Sequence, residues 1–171
     1  LLRLLGMEFA QFDIKFEETA ELNQLGIDAI EFQFTSNKGS QPKALKNQAS
    51  GGEISRLNLV IKSLVAQKAE LPTMIFDEID TGVSGQVALQ MGNILRDMSV
   101  HHQVITITHS PQVASRAKHH FFVYKDSTSK LTNTKLKKLE ADERYVEIAK
   151  MLSGDPPSSA ALINAKELIQ L

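Results

Sequence analysis

Two kinds of apolar spacing divide this chain. Phe9, Phe12, Ile14 and Phe16 fall mostly at alternate positions, with Gln11, Asp13 and Lys15 between them. Residues 28–35 repeat the pattern, with Ile30, Phe32 and Phe34 set against Glu31 and Gln33. A period of two predicts half-exposed strands, and two such runs predict an antiparallel edge. Ile54, Leu57, Ile61, Leu64 and Val65 recur at helical spacing, as do Val87, Met91, Ile94, Leu95 and Met98. Residues 74–76 and 104–108 are short apolar runs on either side of the second helix. They predict a parallel strand pair joined by a helical crossover, each strand buried on both faces. Residues 119–124 predict a third buried or half-buried strand, 126–130 a turn and 131–139 an edge strand. Residues 140–152 predict a helix closed by Gly154. Ser158 or Ser159 opens a last helix that runs to about Ile169.

Punctuation refines the boundaries. Residues 1–6 read as a helical end closed by Gly6, and residues 37–48 as a polar loop. Ser50 and Glu53 have the spacing of a capping box. Pro111 stands at the first turn of a short helix after Ser110.

Composition narrows the classes. At 171 residues and 42% apolar content the chain suits one domain, 1–171, with its own core. A net charge of −1 supplies no global field for nucleic acid, so DNA contact needs a local patch or a partner. The absence of cysteine excludes a disulfide framework and a thiolate metal site. No apolar run approaches the roughly 20 residues of a membrane span. The opening Leu-Leu-Arg-Leu-Leu-Gly is too short for a signal peptide and has no Met. It reads as the last turn of a longer helix.

Candidate chemistry gathers where strands end. The first parallel strand stops at Asp77-Glu78 and the second at His109, and a helical crossover puts both ends on one sheet edge, where open α/β sheets bind ligands. Acidic residues after a strand often only solvate a turn. In a nucleotide site, Asp77 would hold the shell of a Mg²⁺ ion, and Glu78 would take a proton from an attacking water. His109 would donate a hydrogen bond to a terminal phosphate. Asp80, Thr81, Gly82, Ser84 and Gly85 form a loop beside the same place. Ser50-Gly51-Gly52-Glu53 opens a helix, which is a plain capped start or a place where free N–H groups and a hydroxyl receive an anion. His101 and His102 sit in a loop, and His119 and His120 begin a strand on opposite faces, so none of the four is assigned a role. Lys43, Lys46, Lys135, Lys137 and Lys138 read as solvated charge before they read as a phosphate-backbone surface.

Taken in order, these motifs resemble the ABC-type ATPase heads of the structural-maintenance-of-chromosomes class, and the similarity spans nearly the whole chain. It is carried by residues 49–56 (Ala-Ser-Gly-Gly-Glu-Ile-Ser-Arg), by 72–85 with its Phe-Asp-Glu-Ile-Asp-Thr-Gly-Val-Ser-Gly string, and by 107–112 (Ile-Thr-His-Ser-Pro-Gln). Residues 25–28 and 165–168 fit as well. The resemblance implies the carboxyl-terminal lobe of a P-loop head, with a mostly parallel central sheet flanked by helices and antiparallel edge strands. It implies that Ser50, Gly51, Gly52 and Glu53 are the signature motif, which meets the nucleotide of the opposite subunit. Asp77 becomes the Walker B aspartate, Glu78 the catalytic glutamate, His109 the switch histidine and Asp80 a further nucleotide-binding residue. ATP and Mg²⁺ are the implied cofactors. The implied partners are an amino-terminal half of the same parent protein, a second head in an ATP-dependent homodimer, and DNA, with no membrane. The implied setting is recombinational repair of double-strand breaks at the cytoplasmic nucleoid.

Two departures accompany the likeness. Val83-Ser84 replaces the Leu-Asp that ends the corresponding loop of other ABC heads. No Gly-x-x-x-x-Gly-Lys-[Ser/Thr] occurs in the chain, so the loop that cradles phosphates, and its lysine, must come from the amino-terminal half. The chain alone is therefore expected to be inactive. The competing expectations are a non-catalytic interaction or DNA-docking module derived from such a head, and the head of an ABC transporter.

Overall fold

Alternating positions build the first sheet. β1 (Gln11–Asn23) and β2 (Gly26–Thr35) run antiparallel, with Phe12 opposite Phe34, Ile14 opposite Phe32 and Phe16 opposite Ile30. Opposed residues share a face, so these six form an apolar face, and Gln11, Asp13, Lys15 and Glu17 lie on the polar one. β3 (Lys43–Ala44) adds to β2. A 3₁₀ turn over Leu2–Leu5, closed by Gly6, precedes the sheet. Helix α1 (Gly51–Ala69) follows it. Met7, Phe34 and Leu57 make the local core, with Leu2, Ala10 and Leu45 packed against it.

The second strand–helix–strand unit also forms. β4 (Thr73–Asp77) and β5 (Gln103–Ile107) pair in parallel from Thr73↔Gln103 to Asp77↔Ile107, and α2 (Gly85–Met98) crosses between them. α3 (Pro111–Arg116) is capped by Ser110, whose Oγ accepts from the Val113 N–H. β6 (His120–Asp126) and β7 (Asn133–Leu139) form an antiparallel ribbon. α4 (Ala141–Ser153) and α5 (Ser159–Gln170) pack together and against α3. Their core is small: Ala114, Ile148, Ala149, Ala161 and Ala165, with Leu152 and Leu168 beside it. Arg116 and Arg144 stitch these helices together, donating to the carbonyls of Leu168 and Ser115. Gly92 lets α2 come close to α3, because a Cβ there would stand 2.7 Å from the Arg116 Cγ.

This computed structural model describes residues 1–24, 26–45, 50–126 and 132–170. They gather into two compact units, Leu1–Glu70 with Thr81–Val83, and Leu71–Asp80 with Ser84–Leu171. Leu25, Lys46, Ala49, the turn at 127–130 and Leu131 lie outside the described residues. Among the described residues, no helix is long and apolar enough to cross a membrane.

Burial departs from expectation in four places. β4 and β5 are not buried on both faces: Ile75 is 62% exposed and Ile105 44%, while Met74 and Phe76 are covered. Only one face of this two-stranded pair is packed. On the first sheet Phe12, Ile14, Phe16, Ile30 and Phe32 stay exposed, because the Met7–Phe34–Leu57 cluster covers only the Phe34 end of the apolar face. In α1 the stripe read from the sequence mostly faces out. Ile54, Ile61, Leu64 and Val65 are exposed, while Leu57, Leu59, Val60, Ser63 and Ala66 are buried. This helix is apolar on two sides, and spacing alone did not say which side the chain would cover. The strand expected at 119–124 begins at His120, and Phe121 to Tyr124 are exposed.

The contrast along β2 is testable. Phe34 is 1% exposed and Phe32 51%. Phe34→Ala should cost about 3–5 kcal/mol in urea denaturation, and Phe32→Ala less than about 1 kcal/mol. Equal costs would mean that the face is covered in solution.

Candidate functional site

The carboxyl ends of β4 and β5 are level. Asp77 pairs with Ile107, and the Glu78 N–H donates to the Ile107 carbonyl at 2.9 Å, extending the ladder one residue beyond the strand. His109 follows two residues after Ile107, so Asp77, Glu78 and His109 share one edge of the pair. All three side chains are exposed. Glu78 has φ 46, a left-handed conformation that a non-glycine residue adopts at a cost. The chain thus leaves the strand sharply at the proposed base.

Asp80 differs from these three. It is 1% exposed, and its Oδ2 accepts from the Thr108 hydroxyl. Thr108 Oγ1 in turn accepts from the Ser110 N–H at 2.9 Å. No described residue donates to Asp80 Oδ1. The sequence had offered Asp80 as a residue on the nucleotide; its side chain is buried. Thr108 carried no assignment from the sequence, and nothing in its spacing marked it.

The signature candidate lies in the other unit and is built as a complete capping box. Ser50 Oγ accepts from the Glu53 N–H at 3.3 Å, and Glu53 Oε2 accepts from the Ser50 N–H at 2.9 Å. The Ser36 hydroxyl donates to Glu53 Oε1, a partner no motif announced. Glu53 is therefore held by its own helix start, and its carboxyl lies below the ordinary range, chiefly through the Ser36 hydrogen bond and next through the Ser50 N–H. Ser50 and Gly51 are exposed, and space around Gly51 is open. Gly52 is different: a Cβ on it would lie 2.8 Å from the Gly82 carbonyl oxygen. The two backbones meet there, which calls for glycine at 52, while Gly82 takes a left-handed φ of 74.

Residues for Mg²⁺ are few but of the right kind. No group of three His, Asp or Glu side chains converges among the described residues. An octahedral Mg²⁺ that keeps most of its waters and takes its other oxygens from phosphates needs only one or two carboxylates. The exposed Asp77 at a strand end fits that need. Two of the lysine candidates are engaged in surface ion pairs, Lys135 with Asp126 and Lys137 with Glu143.

The fold is that of the carboxyl-terminal lobe of an ABC-type ATPase head of the structural-maintenance-of-chromosomes class. An Smc head domain with coiled coil and joint from Pyrococcus yayanosii superposes with a TM-score of 0.67 at 14% identity, over 88% of this chain and 28% of that one. An Smc head bound to the C-winged helix domain of ScpA gives 0.58 at 17% identity, over 82% and 41%. In sequence the chain is similar to the DNA repair protein RecN. It is 40% identical to that of Vibrio cholerae over 166 residues, 42% to that of Rickettsia bellii over 168, and 35% to that of Bacillus subtilis over 184. These alignments take in 96–99% of this chain but only 30–32% of each relative, so the chain spans about a third of their length. No protein-family profile matches the chain.

Two measurements probe the capping box and its neighbour. The depressed Glu53 carboxyl adds stability above the unfolded carboxylate value of about 4.3. That stability is lost as pH falls through the lower folded value. Glu53→Gln should lower the melting temperature at pH 7, and the gap to wild type should close as the pH is taken toward 3; a gap constant with pH would contradict this. Gly52→Ala should destabilise by about 1–3 kcal/mol, because the contact is with backbone and cannot swing away. Unchanged stability in chemical denaturation would contradict the close approach.

Proposed function

We propose that this chain is the carboxyl-terminal lobe of an ATPase that acts in recombinational repair of DNA double-strand breaks. The observation that carries the reading is the level pairing of β4 with β5, which brings Asp77, Glu78 and His109 to one edge. The similarity to RecN supplies the biological setting.

Bound with its metal, ATP would supply the phosphoryl group and the cation that offsets its charge. Asp77 would hold the metal's water shell from the end of β4. Glu78, fixed in a turned-out conformation, would accept the proton of a water placed in line with the terminal phosphate. The His109 ring N–H would donate to a terminal phosphate oxygen. Ser50 Oγ accepts from its own helix, which leaves the hydroxyl proton to donate; with the N–H groups of Gly51 and Gly52 it would receive the terminal phosphate held by a second head.

Three partners follow from this reading. An amino-terminal segment would bring the phosphate loop, and the exposed apolar residues of β1, β2, β4 and β5 are the kind of surface a second lobe covers. A second head would complete the site at Ser50. DNA would be the larger substrate. A solved relative of the fold is described by ATP-driven dimerisation and DNA-stimulated activation of SMC ATPases, and we carry both properties over. The setting is the bacterial cytoplasm, at the nucleoid.

The test is reconstitution. This chain alone should show no ATP turnover above background, and turnover should appear when the amino-terminal segment is supplied. In the reconstituted protein Glu78→Gln should lower turnover about 10²–10⁴-fold while ATP binding persists. Rapid turnover by that variant, or by the chain alone, would contradict the assignment.

A further inference from the structure

We propose that Asp80 is a positioning residue, not a nucleotide ligand: through the Thr108 hydroxyl it latches the β5–α3 loop and so fixes where His109 stands. The inference rests on the reading of His109 as the group that meets the terminal phosphate.

The geometry makes Thr108 a relay. Its hydroxyl donates its one proton to Asp80 Oδ2 and accepts the Ser110 N–H at 2.9 Å. Ser110 is itself buried, and its Oγ accepts from the Val113 N–H, so the relay ends on the first turn of α3. His109 lies between Thr108 and Ser110 in the chain, exposed, with the residue on either side tied down. Its backbone is thus held from both sides by hydrogen-bonded neighbours. Only a hydroxyl can give and accept at once in this place; serine can do so and valine cannot.

Burial argues against a direct role for Asp80. At 1% exposure it offers no oxygen to a bound nucleotide, unlike Asp77 and Glu78 beside it. Its Oδ1 is also without a donor among the described residues. A buried carboxylate with one oxygen unsatisfied costs stability, and an apolar residue would pack the site more cheaply. A latch on the loop that carries His109 accounts for its presence at that cost.

The test uses the full-length parent protein, or this chain reconstituted with its amino-terminal segment, and steady-state ATP hydrolysis. Thr108→Val keeps the shape and removes the hydroxyl. It should lower kcat on the order of ten-fold with KM for ATP changed less than about two-fold, since small displacements of a reacting group act on the chemical step. Thr108→Ser should restore kcat to within about three-fold of wild type, because the relay is remade. Asp80→Asn, which keeps an acceptor toward Thr108, should retain most of the rate, and Asp80→Ala should lose it. Adding Thr108→Val to Asp80→Ala should then change kcat by less than about two-fold, as expected of two groups in one hydrogen-bonded unit. A wild-type kcat in Thr108→Val, or equal loss in the Ser and Val variants, would overturn the latch. If Thr108→Val does not fold, equal rates in the Asn and Ala variants of Asp80 would overturn it. His109→Ala is assayed alongside. Wild-type turnover in that variant removes the reading of His109 itself; slow turnover there with normal Thr108→Val removes only the latch.

Discussion

The hydrogen bond from the Glu78 amide to the Ile107 carbonyl, at 2.9 Å, is the contact on which the site depends. It continues the β4–β5 ladder past Asp77, at a residue whose φ is 46. Side chains alternate along a strand, so a slip of one residue in this register would turn Asp77 to the opposite face and separate it from His109. A parallel pair of five residues is a weak clamp by itself. Here it is backed by the buried Met74 and Phe76, and by α2, whose own Met91, Leu95 and Met98 are buried. The packed core thus sets the relation between the adjacent Asp77 and Glu78 and the distant His109.

A second theme is apolar surface in want of cover. The Phe12–Phe32 stack, the outer stripe of α1 and the Ile75–Ile105–Ile107 face are all exposed. Single exposed apolar residues are ordinary, but ordered faces of them on strands mark surfaces made for contact. The chain also spans about a third of its RecN relatives. Sheets packed on one side agree with the proposed reading, in which a second lobe covers the bare faces and would bring the phosphate loop. On that reading this chain would carry the base, the metal carboxylate and the phosphate donor, and nucleotide capture would fall to its partner.

How much of this could be read from residues alone depended on the range of the interaction. The capping box at Ser50 and Glu53, the Ser110 cap and the β4–α2–β5 unit are local or periodic, and each stood in the sequence. The convergence of Asp77 and His109 followed from parallel pairing, a rule of topology. Burial did not follow, because a hydrophobic pattern says which faces want cover and not which faces one chain can cover. That is why both faces of β4 and β5 were expected to be buried and one is bare. Ser36 on Glu53, Gly82 against Gly52 and Thr108 on Asp80 were not legible either. Each joins residues 17 or more apart through one atom, and no spacing encodes such a contact.

The most direct measurement is a crystal structure of the full-length parent protein with Mg²⁺ and a non-hydrolysable ATP analogue. It should place the terminal phosphate within hydrogen-bonding distance of the His109 ring, with a water between that phosphate and the Glu78 carboxylate and the metal's shell on Asp77. A triphosphate seated away from the carboxyl ends of β4 and β5, with Glu78 and His109 both turned to bulk solvent, would contradict it.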